Sequence, residues 1–223
     1  MENFERDLQL VKELGDKQGM AIACGLIGDL LALTGEFDRA IEFLDQNLEL
    51  SRELNYKKGI AKALNTLGDT WYYKGDYKRS IQYYDEAIEY ARDMGNRLVL
   101  GNSLIEKGLV HLHANDLTTT KQLLEEGRDI ALALGNAELT FGANILRAQL
   151  IITEGDRHEA LRQLQQLASM ARTEREEAAV HYELRRVADN PTPHHLKALS
   201  LYQSLYARTP QYMYKIRIED LEK

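Results

Sequence analysis

The chain of 223 residues contains one cysteine, three prolines, four phenylalanines and one tryptophan. A single cysteine excludes an intramolecular disulfide and a zinc site built from cysteine pairs. Cys24 lies inside the apolar stretch "AIACGLIGDLLAL", so we expect a small buried residue rather than a reactive thiol. The scarcity of proline permits long helices, because proline breaks a helix interior.

Basic charge and long apolar runs are also scarce. Asp and Glu outnumber Lys and Arg by 35 to 28, which gives a net charge of −7. Nucleic acids and anionic membrane surfaces attract basic proteins, so this charge weighs against both as partners. No apolar run is long enough to span a bilayer, and the acidic, amphipathic N-terminus does not resemble a signal peptide. We therefore expect a cytoplasmic protein.

The chain does contain an internal repeat of about 40 residues. The segment "GEFDRAIEFLDQNLELSRELN" at 35–55 returns as "GDYKRSIQYYDEAIEYARDMGN" at 75–96. Between the turns, apolar residues follow helical spacing, so each period predicts two amphipathic helices joined by a short turn. One hairpin cannot bury its own apolar face, so successive hairpins must stack. The turn residues recur in two interleaved sets, Gly15, Asn55, Gly95, Gly135 and Gly35, Gly75, Asn115, Gly155.

A small residue also recurs inside the first helix of each period. Glycine in a helix interior costs about 1 kcal/mol relative to alanine, so its presence there needs a compensating interaction. At Gly68 we expect a close crossing of the two helices of the hairpin to supply that interaction. The recurring small residues are Gly28, Gly68, Gly108 and Ala148.

The second period resembles the tetratricopeptide repeat in Leu67-Gly68, Trp71, Gly75-Asp76-Tyr77, Ser80, Tyr84 and Ala87. The resemblance extends from about Gly15 to Pro210. It implies an all-α fold, a right-handed superhelical solenoid of antiparallel helix hairpins. The usual repeat has about 34 residues. The longer period here is similar to the subclass found in spindle-orientation adaptors and in bacterial signalling proteins.

The repeat divides the chain into segments. Residues 1–14 align with a second helix, with Phe4 in the place of Leu44, so we expect an incomplete preceding repeat and a fragment of a longer protein. Residues 211–223 are expected to form a capping helix, and an open end of the array could pair with a second copy. The third repeat has the weakest second helix, because "DLTTT" is β-branched and Gly127 follows. The five repeats are expected at about 15–54, 55–94, 95–134, 135–173 and 174–210.

The resemblance places the first helices along a concave groove. At 100° per residue, side chains about 120° from the core stripe of each first helix are expected to face that groove. The early part is then small or polar with two acids, and the later part is apolar. The expected groove residues are Asp29, Lys62, Asn65, Asp69, Tyr72, Tyr73, Asn102, Ile105, Leu109, Leu112, His113, Ile145, Gln149 and Ile152.

Such a groove predicts a protein or peptide partner with apolar anchors near the late repeats and a basic group near Asp29 and Asp69. Asn65 and Asn102 could bond the peptide backbone, because amides both donate and accept. The alternative is that the late apolar residues pack on one another or under the C-terminal helix.

The sequence contains no recognisable catalytic or metal-binding motif. His111 and His113 point about 200° apart on a helix, and His194 and His195 are expected to begin one. The sequence has no HExxH, P-loop or Gly-x-Ser-x-Gly motif. We therefore expect no catalytic site, metal or cofactor, and a non-catalytic scaffold or adaptor. The alternative is a regulatory or sensor arm of a larger bacterial signalling protein, such as a kinase, cyclase or NTPase regulator.

Overall fold

A computed structural model describes the backbone of residues 2–223 and the side chains of residues 6–223. The expected match of Phe4 with Leu44 therefore lies outside the described side chains. Over residues 2–223 the chain forms twelve α-helices and no strand, which confirms the predicted all-α fold. The helices are α1 (Glu2–Glu13), α2 (Lys17–Thr34), α3 (Phe37–Glu53), α4 (Lys57–Tyr73), α5 (Tyr77–Asp93), α6 (Arg97–His113), α7 (Leu117–Leu134), α8 (Ala137–Glu154), α9 (Arg157–Met170), α10 (Glu174–Val187), α11 (Thr192–Arg208) and α12 (Tyr212–Leu221).

Each of the helices α1 to α8 is followed within two residues by a residue with left-handed backbone. At the end of α2, for example, the N–H of Gly35 bonds the carbonyl of Ala32 at 3.2 Å and the N–H of Glu36 bonds that of Leu31 at 2.9 Å. Glycine and asparagine tolerate this conformation with little strain, which explains the recurring turn residues of the sequence. Along the described backbone, positive φ angles occur every 20 residues at Gly15, Gly35, Asn55, Gly75, Gly95, Asn115, Gly135 and Gly155.

The residue after the corner often starts the next helix. Asp76 accepts a hydrogen bond from the backbone N–H of Arg79 at 3.0 Å, and Asp156 accepts one from that of Glu159 at 3.0 Å. A cap of this kind stabilises a helix by about 1 kcal/mol. A Gly-Asp pair therefore ends one helix and begins another, which keeps the helices nearly equal in length.

The chain divides into two compact units, unit 1 up to Val110 and unit 2 from His111 to Lys223. In unit 1, α2 and α3 form one hairpin and α4 and α5 the next. Their core includes Ile27, Leu31 and Leu64, each fully buried. Cys24 belongs to the same core and is 1% exposed, so its predicted burial is confirmed.

The two helices of each hairpin in unit 1 cross at a glycine. A Cβ atom on Gly28 would lie 2.7 Å from Cγ of Leu44, and one on Gly68 would lie 2.8 Å from Cε1 of Tyr84. Neither site has room for a methyl group, so the close crossing predicted at Gly68 is confirmed, and the structure shows another at Gly28.

Unit 2 contains the hairpins α8–α9 and α10–α11, and α12 packs on α11. Tyr214 and Leu221 of α12 are buried beside Ala198 and Tyr202 of α11. The left-handed corners stop after Gly155, and α9 ends instead at Ala171 with φ of −59° and ψ of 129°. Helix α10 begins instead with a capping box, in which Thr173 and Glu176 bond each other's backbone N–H groups.

Candidate functional site

One row of α4 stays accessible while the rest of the helix is largely buried. Lys62, Asn65, Asp69 and Tyr72 follow one another at intervals of three or four residues, so they lie on one face of α4. Between them, Ala63, Leu64, Leu67 and Gly68 are buried. The row places polar and aromatic side chains beside one another on the surface of unit 1.

Polar contacts join the first helices of unit 1 side by side. Asp29 of α2 pairs with Lys62 of α4 and accepts a hydrogen bond from Thr66 Oγ1 at 3.2 Å. Ser103 Oγ of α6 donates to Asn65 Oδ1 at 2.7 Å. We define the first-helix face as the surface formed by the exposed rows of α2, α4 and α6 up to Val110. Four predicted residues, Asp29, Lys62, Asn65 and Asp69, meet in or beside these contacts.

The carboxyl group of Asp69 has an unusual environment. It accepts a hydrogen bond from the hydroxyl of Tyr84, a residue that is 1% exposed. Burial raises the pKa of Asp69 to about 6, the hydrogen bond from Tyr84 opposes this rise, and the charge of Asp29 adds to it. Burial also raises the pKa of Tyr84 well above its ordinary value, so this hydroxyl keeps its proton and donates. Asp69 is therefore a half-buried carboxylate that carries its charge only above about pH 6.

The exposed row of α2 is apolar, which corrects the expectation of a small or polar early groove. Ile22 is 43% exposed, Leu26 42% and Leu33 47%. Gly25, by contrast, is buried against Asn47, whose Nδ2 would lie 3.1 Å from an added Cβ. Asp29 interrupts this row and carries the contact to Lys62.

Two late residues are in the wrong place for an open groove. Ile105 is 5% exposed and Leu112 is 8% exposed, whereas Asn102 and His113 are exposed and Leu109 is half-buried. Asn65 and Tyr72 occupy the equivalent positions of α4, one repeat earlier, and are only half-buried. Helical phase is therefore the same in both helices, and the closer packing around α6 accounts for the burial of Ile105 and Leu112.

In unit 2 the predicted apolar residues are half-buried. Ile145 and Ile152 of α8 pack against a cluster that includes Leu164 and Leu184. Gln149 lies between them and donates a hydrogen bond to Glu183 at 2.9 Å. The late apolar strip is thus largely part of the unit 2 core.

The aromatic pair at the end of α4 sits at the rim of the first-helix face. The rings of Tyr72 and Tyr73 meet edge to face with centroids 5.0 Å apart, and Tyr72 stacks on Tyr77 at 5.8 Å. Tyr73 stacks on Phe37 at 6.5 Å. These contacts hold the two rings in fixed positions, as suits a rigid contact surface.

Sequence reasoning missed a polar cavity of about 370 Å³ in unit 2. Tyr182 of α10 lies between two guanidinium groups, Arg185 at 4.3 Å and Arg217 at 4.0 Å from its ring. Its hydroxyl donates to Asp220 at 2.6 Å, and this bond is the main cause of a lowered Asp220 pKa. The buried Glu183 pairs with Arg186 at 2.8 Å. No motif marks this cluster, because α10 and α12 lie beyond the regular repeats.

A larger groove of about 990 Å³ lies between the second helices of unit 1, α3 and α5. Arg52 and Glu86 pair across it, and the Tyr83 hydroxyl donates to Asp45 at 3.4 Å. Its walls include Trp71, whose ring lies 4.3 Å from the guanidinium of Arg79.

Among residues 6–223, no group of three or more His, Cys, Asp or Glu side chains is placed to hold a metal ion. Within that part of the chain, no helix has both the length and the apolar character needed to cross a bilayer.

These features define a class, the helical repeat proteins built from stacked antiparallel hairpins. In sequence, residues 19–93, about a third of the chain, match the tetratricopeptide repeat model. A search by sequence among curated proteins gives no match.

Solved structures show the same fold over nearly the whole chain. The apo form of RapI superposes with a TM-score of 0.76 at 10% identity, covering 92% of this chain and 75% of RapI. A STAND signal-transduction ATPase with a tetratricopeptide repeat sensor, from Pyrococcus horikoshii, gives 0.68 at 16% identity. That match covers 98% of this chain and 36% of the ATPase. YrrB, a tetratricopeptide repeat protein with an unusual peptide-binding site, gives 0.52 at 20% identity, with 97% of each chain covered.

The residues matched in sequence and the folds matched in structure agree. Residues 19–93 are tetratricopeptide repeats, and the chain as a whole has the helix-hairpin solenoid fold that the sequence predicted. This fold is typically a non-catalytic scaffold for protein–protein interaction.

Proposed function

We propose that the first-helix face of unit 1 binds a segment of a partner protein, and that the chain is an adaptor without catalysis of its own. The observation that carries this proposal is the pairing of an apolar row with a charged one. Ile22, Leu26 and Leu33 are exposed on α2, and Lys62, Asn65 and Asp69 follow on α4. Exposed apolar side chains bordered by polar ones commonly mark an interaction surface.

The apolar row sets the first requirement on the partner. Covering a leucine or isoleucine side chain fully contributes about 1.5–3 kcal/mol. Three such side chains, each more than two-fifths exposed, would therefore stabilise a complex with a segment that carries apolar side chains. The anchors are thus proposed next to α2 in unit 1, instead of the late repeats favoured by the sequence pattern.

The charged row sets the second requirement. Above about pH 6, Asp69 carries a negative charge beside the ion pair formed by Asp29 and Lys62. A lysine or arginine of the partner would restore neutrality there and would lower the pKa of Asp69. Below pH 6, Asp69 takes up a proton and loses its attraction for a cation. The proposed complex therefore weakens in mild acid.

Asn65 supplies a third element. Its Oδ1 already accepts from Ser103, which leaves the amide Nδ2 to donate to a carbonyl oxygen of an extended segment. Tyr72 and Tyr73 at the rim provide flat, rigid surfaces, a common feature of residues that dominate binding energy. Together these groups fit a short peptide with an apolar residue and a basic residue.

Peptide selection provides the test. Random peptides displayed on phage are selected on the immobilised chain, and the affinities of the enriched sequences are measured by isothermal titration calorimetry. Asp69→Asn and Asn65→Ala are each expected to weaken binding about tenfold or more, as for central interface residues. Asp69→Asn keeps an oxygen for the Tyr84 hydrogen bond, so a loss of affinity would not reflect a loss of fold.

The matched control is Glu89→Gln, which removes one negative charge from an exposed position of α5 in the same repeat. It is expected to leave affinity within about twofold. Equal weakening by Asp69→Asn and Glu89→Gln would attribute binding to net charge alone and would refute the site. Enriched peptides without a basic residue would refute the proposed role of Asp69.

A second candidate function is a sensor arm within a larger signalling protein. It is favoured by the match to the STAND ATPase with a tetratricopeptide repeat sensor, of which this chain spans about a third. The bound segment would then belong to the catalytic domain of the same protein. Sequencing the gene upstream of the codon for Met1 distinguishes the two, since the sensor requires an open reading frame that continues into an enzyme domain.

A further inference from the structure

Two histidines of unit 2 face each other across the α10–α11 hairpin. His181 lies on α10 and His194 in the first turn of α11. Their Nδ1 atoms are 2.9 Å apart, and the ring centroids are 5.1 Å apart with the planes inclined by 30°. The pair lies apart from the first-helix face and takes no part in the proposed function.

The short distance constrains the protons of the pair. A neutral imidazole carries a proton on one ring nitrogen and a lone pair on the other. Two Nδ1 atoms at hydrogen-bond distance therefore share a single proton, with one ring as donor and the other as acceptor. A metal ion can replace this proton if both rings carry their remaining protons on Nε2, which leaves two Nδ1 lone pairs for the ion.

The geometry suits a transition metal. Imidazole nitrogens bind zinc at about 2.0–2.1 Å. Two nitrogens 2.9 Å apart can both lie at that distance from one point, with an angle of about 90° at the metal. That angle is the one between neighbouring ligands of a square-planar or octahedral ion. Widening the nitrogen separation by about 0.4 Å gives the tetrahedral angle that zinc prefers.

A carboxylate stands close to the pair. Glu177 precedes His181 by one helical turn, so both lie on one face of α10. Glu177 pairs with Lys197 at 3.1 Å, and the side chains are 37% and 48% exposed. An exposed ion pair of this kind contributes at most about 1 kcal/mol, so its carboxylate can turn to a metal at little cost.

We propose that His181 and His194 bind a divalent transition metal ion through Nδ1, with Glu177 recruited as a third ligand and water in the remaining positions. Nitrogen ligands favour Cu²⁺ and Zn²⁺ and discriminate against Mg²⁺ and Ca²⁺. The ion would link α10 to α11 and stabilise this hairpin. Since no three-ligand group is already assembled among the described side chains, binding should be weaker than at a structural zinc site.

The test is metal titration of the full chain without a polyhistidine tag. Isothermal titration calorimetry with ZnCl₂ and with CuCl₂ is expected to give one equivalent bound, with Cu²⁺ tighter than Zn²⁺ and no heat from MgCl₂. His181→Gln and His194→Gln are each expected to lower the metal affinity by tenfold or more, because replacing even a residue that only hydrogen-bonds to a metal ligand lowers affinity by about 10–100-fold. Circular dichroism spectra of the variants establish that the helices are intact.

His195→Gln is the matched control, because His195 neighbours His194 and is similarly half-buried. It should bind metal as the unaltered chain does. Binding that survives in the His181→Gln, His194→Gln double variant would refute the site. A second measurement uses the unaltered chain, so it does not depend on whether the variants fold. Substoichiometric Cu²⁺ should first broaden the NMR signals of α10 and of the start of α11. Broadening centred on another histidine, or the absence of binding, would equally overturn the proposal.

Discussion

Replacing Gly68 by alanine tests how closely the helices of unit 1 pack. A Cβ atom at this position would lie 2.8 Å from Cε1 and 2.8 Å from Cζ of Tyr84, too short for any real contact. Tyr84 cannot easily move, because it is 1% exposed and its hydroxyl is held by Asp69.

The magnitude follows from two opposing effects. Alanine favours the helix by about 1 kcal/mol relative to glycine. Overpacking costs about 1–3 kcal/mol, and losing a hydrogen bond to a charged group adds about 1.5–3 kcal/mol. We expect Gly68→Ala to lower the free energy of unfolding by about 1.5–5 kcal/mol, or Tm by several degrees or more in a domain of this size.

The assay is urea denaturation followed by circular dichroism at pH 7.5, with Gly142→Ala as matched control. Gly142 is also inside a helix, α8, but a Cβ there meets no atom within 4 Å. Gly142→Ala should therefore stabilise the protein by about 0.5–1 kcal/mol, with a sign opposite to that of Gly68→Ala. A Gly68→Ala protein at least as stable as the unaltered chain would refute the packing account.

Three further predictions concern charge, exchange and a buried amide. The pKa of Asp69, about 6, exceeds its ordinary value of 3.8, so the folded state binds the proton more tightly and the associated stability is lost as pH rises from 4 to 6. The free energy of unfolding of Asp69→Asn should therefore exceed that of the unaltered chain by about 1–3 kcal/mol at pH 7.5 and should equal it at pH 4. Urea denaturation at both pH values measures this, and a difference that does not depend on pH would contradict it. Amide hydrogens of α7 should exchange faster than those of α5, because Thr118, Thr119 and Gly127 lower the helix propensity of α7. Hydrogen exchange followed by mass spectrometry measures both rates, and equal protection of the two helices would refute this prediction. Asn47→Ala should lower the free energy of unfolding by about 1–3 kcal/mol, because Nδ2 of the buried Asn47 donates to the carbonyl of Ala21 at 2.5 Å. In the same denaturation assay, Asn102→Ala should cost little, because Asn102 is exposed.

Much of the fold could be read from local chemistry. Glycine or asparagine at 20-residue intervals marks the corners, because these residues adopt positive φ at little cost. Gly28 and Gly68 mark the crossings for a similarly local reason, the lack of a Cβ. The regular pattern of glycine and asparagine corners stops after Gly155, so no such residue marks where α9 and α10 end.

The candidate site was harder to predict, since side-chain exposure depends on the angle at which neighbouring helices meet. A difference of about 60° in helical phase separates the buried Ile105 from the exposed Asn102. Leu26, exposed on α2, is not among the groove residues that the sequence pattern predicts. Pairs such as His181 with His194 depend on how α10 packs on α11, and no spacing within one helix reveals them.

The most direct test of the proposed interaction is to locate a bound peptide on the protein. A ¹⁵N-labelled chain is titrated with the tightest peptide from the phage selection, and amide chemical-shift changes are mapped. Our account predicts that the largest changes fall on α2 and α4, around Leu26, Asp29, Asn65 and Asp69. Changes centred on α3 and α5, in the groove lined by Asp45 and Tyr83, would show that the second helices bind the partner and would contradict it.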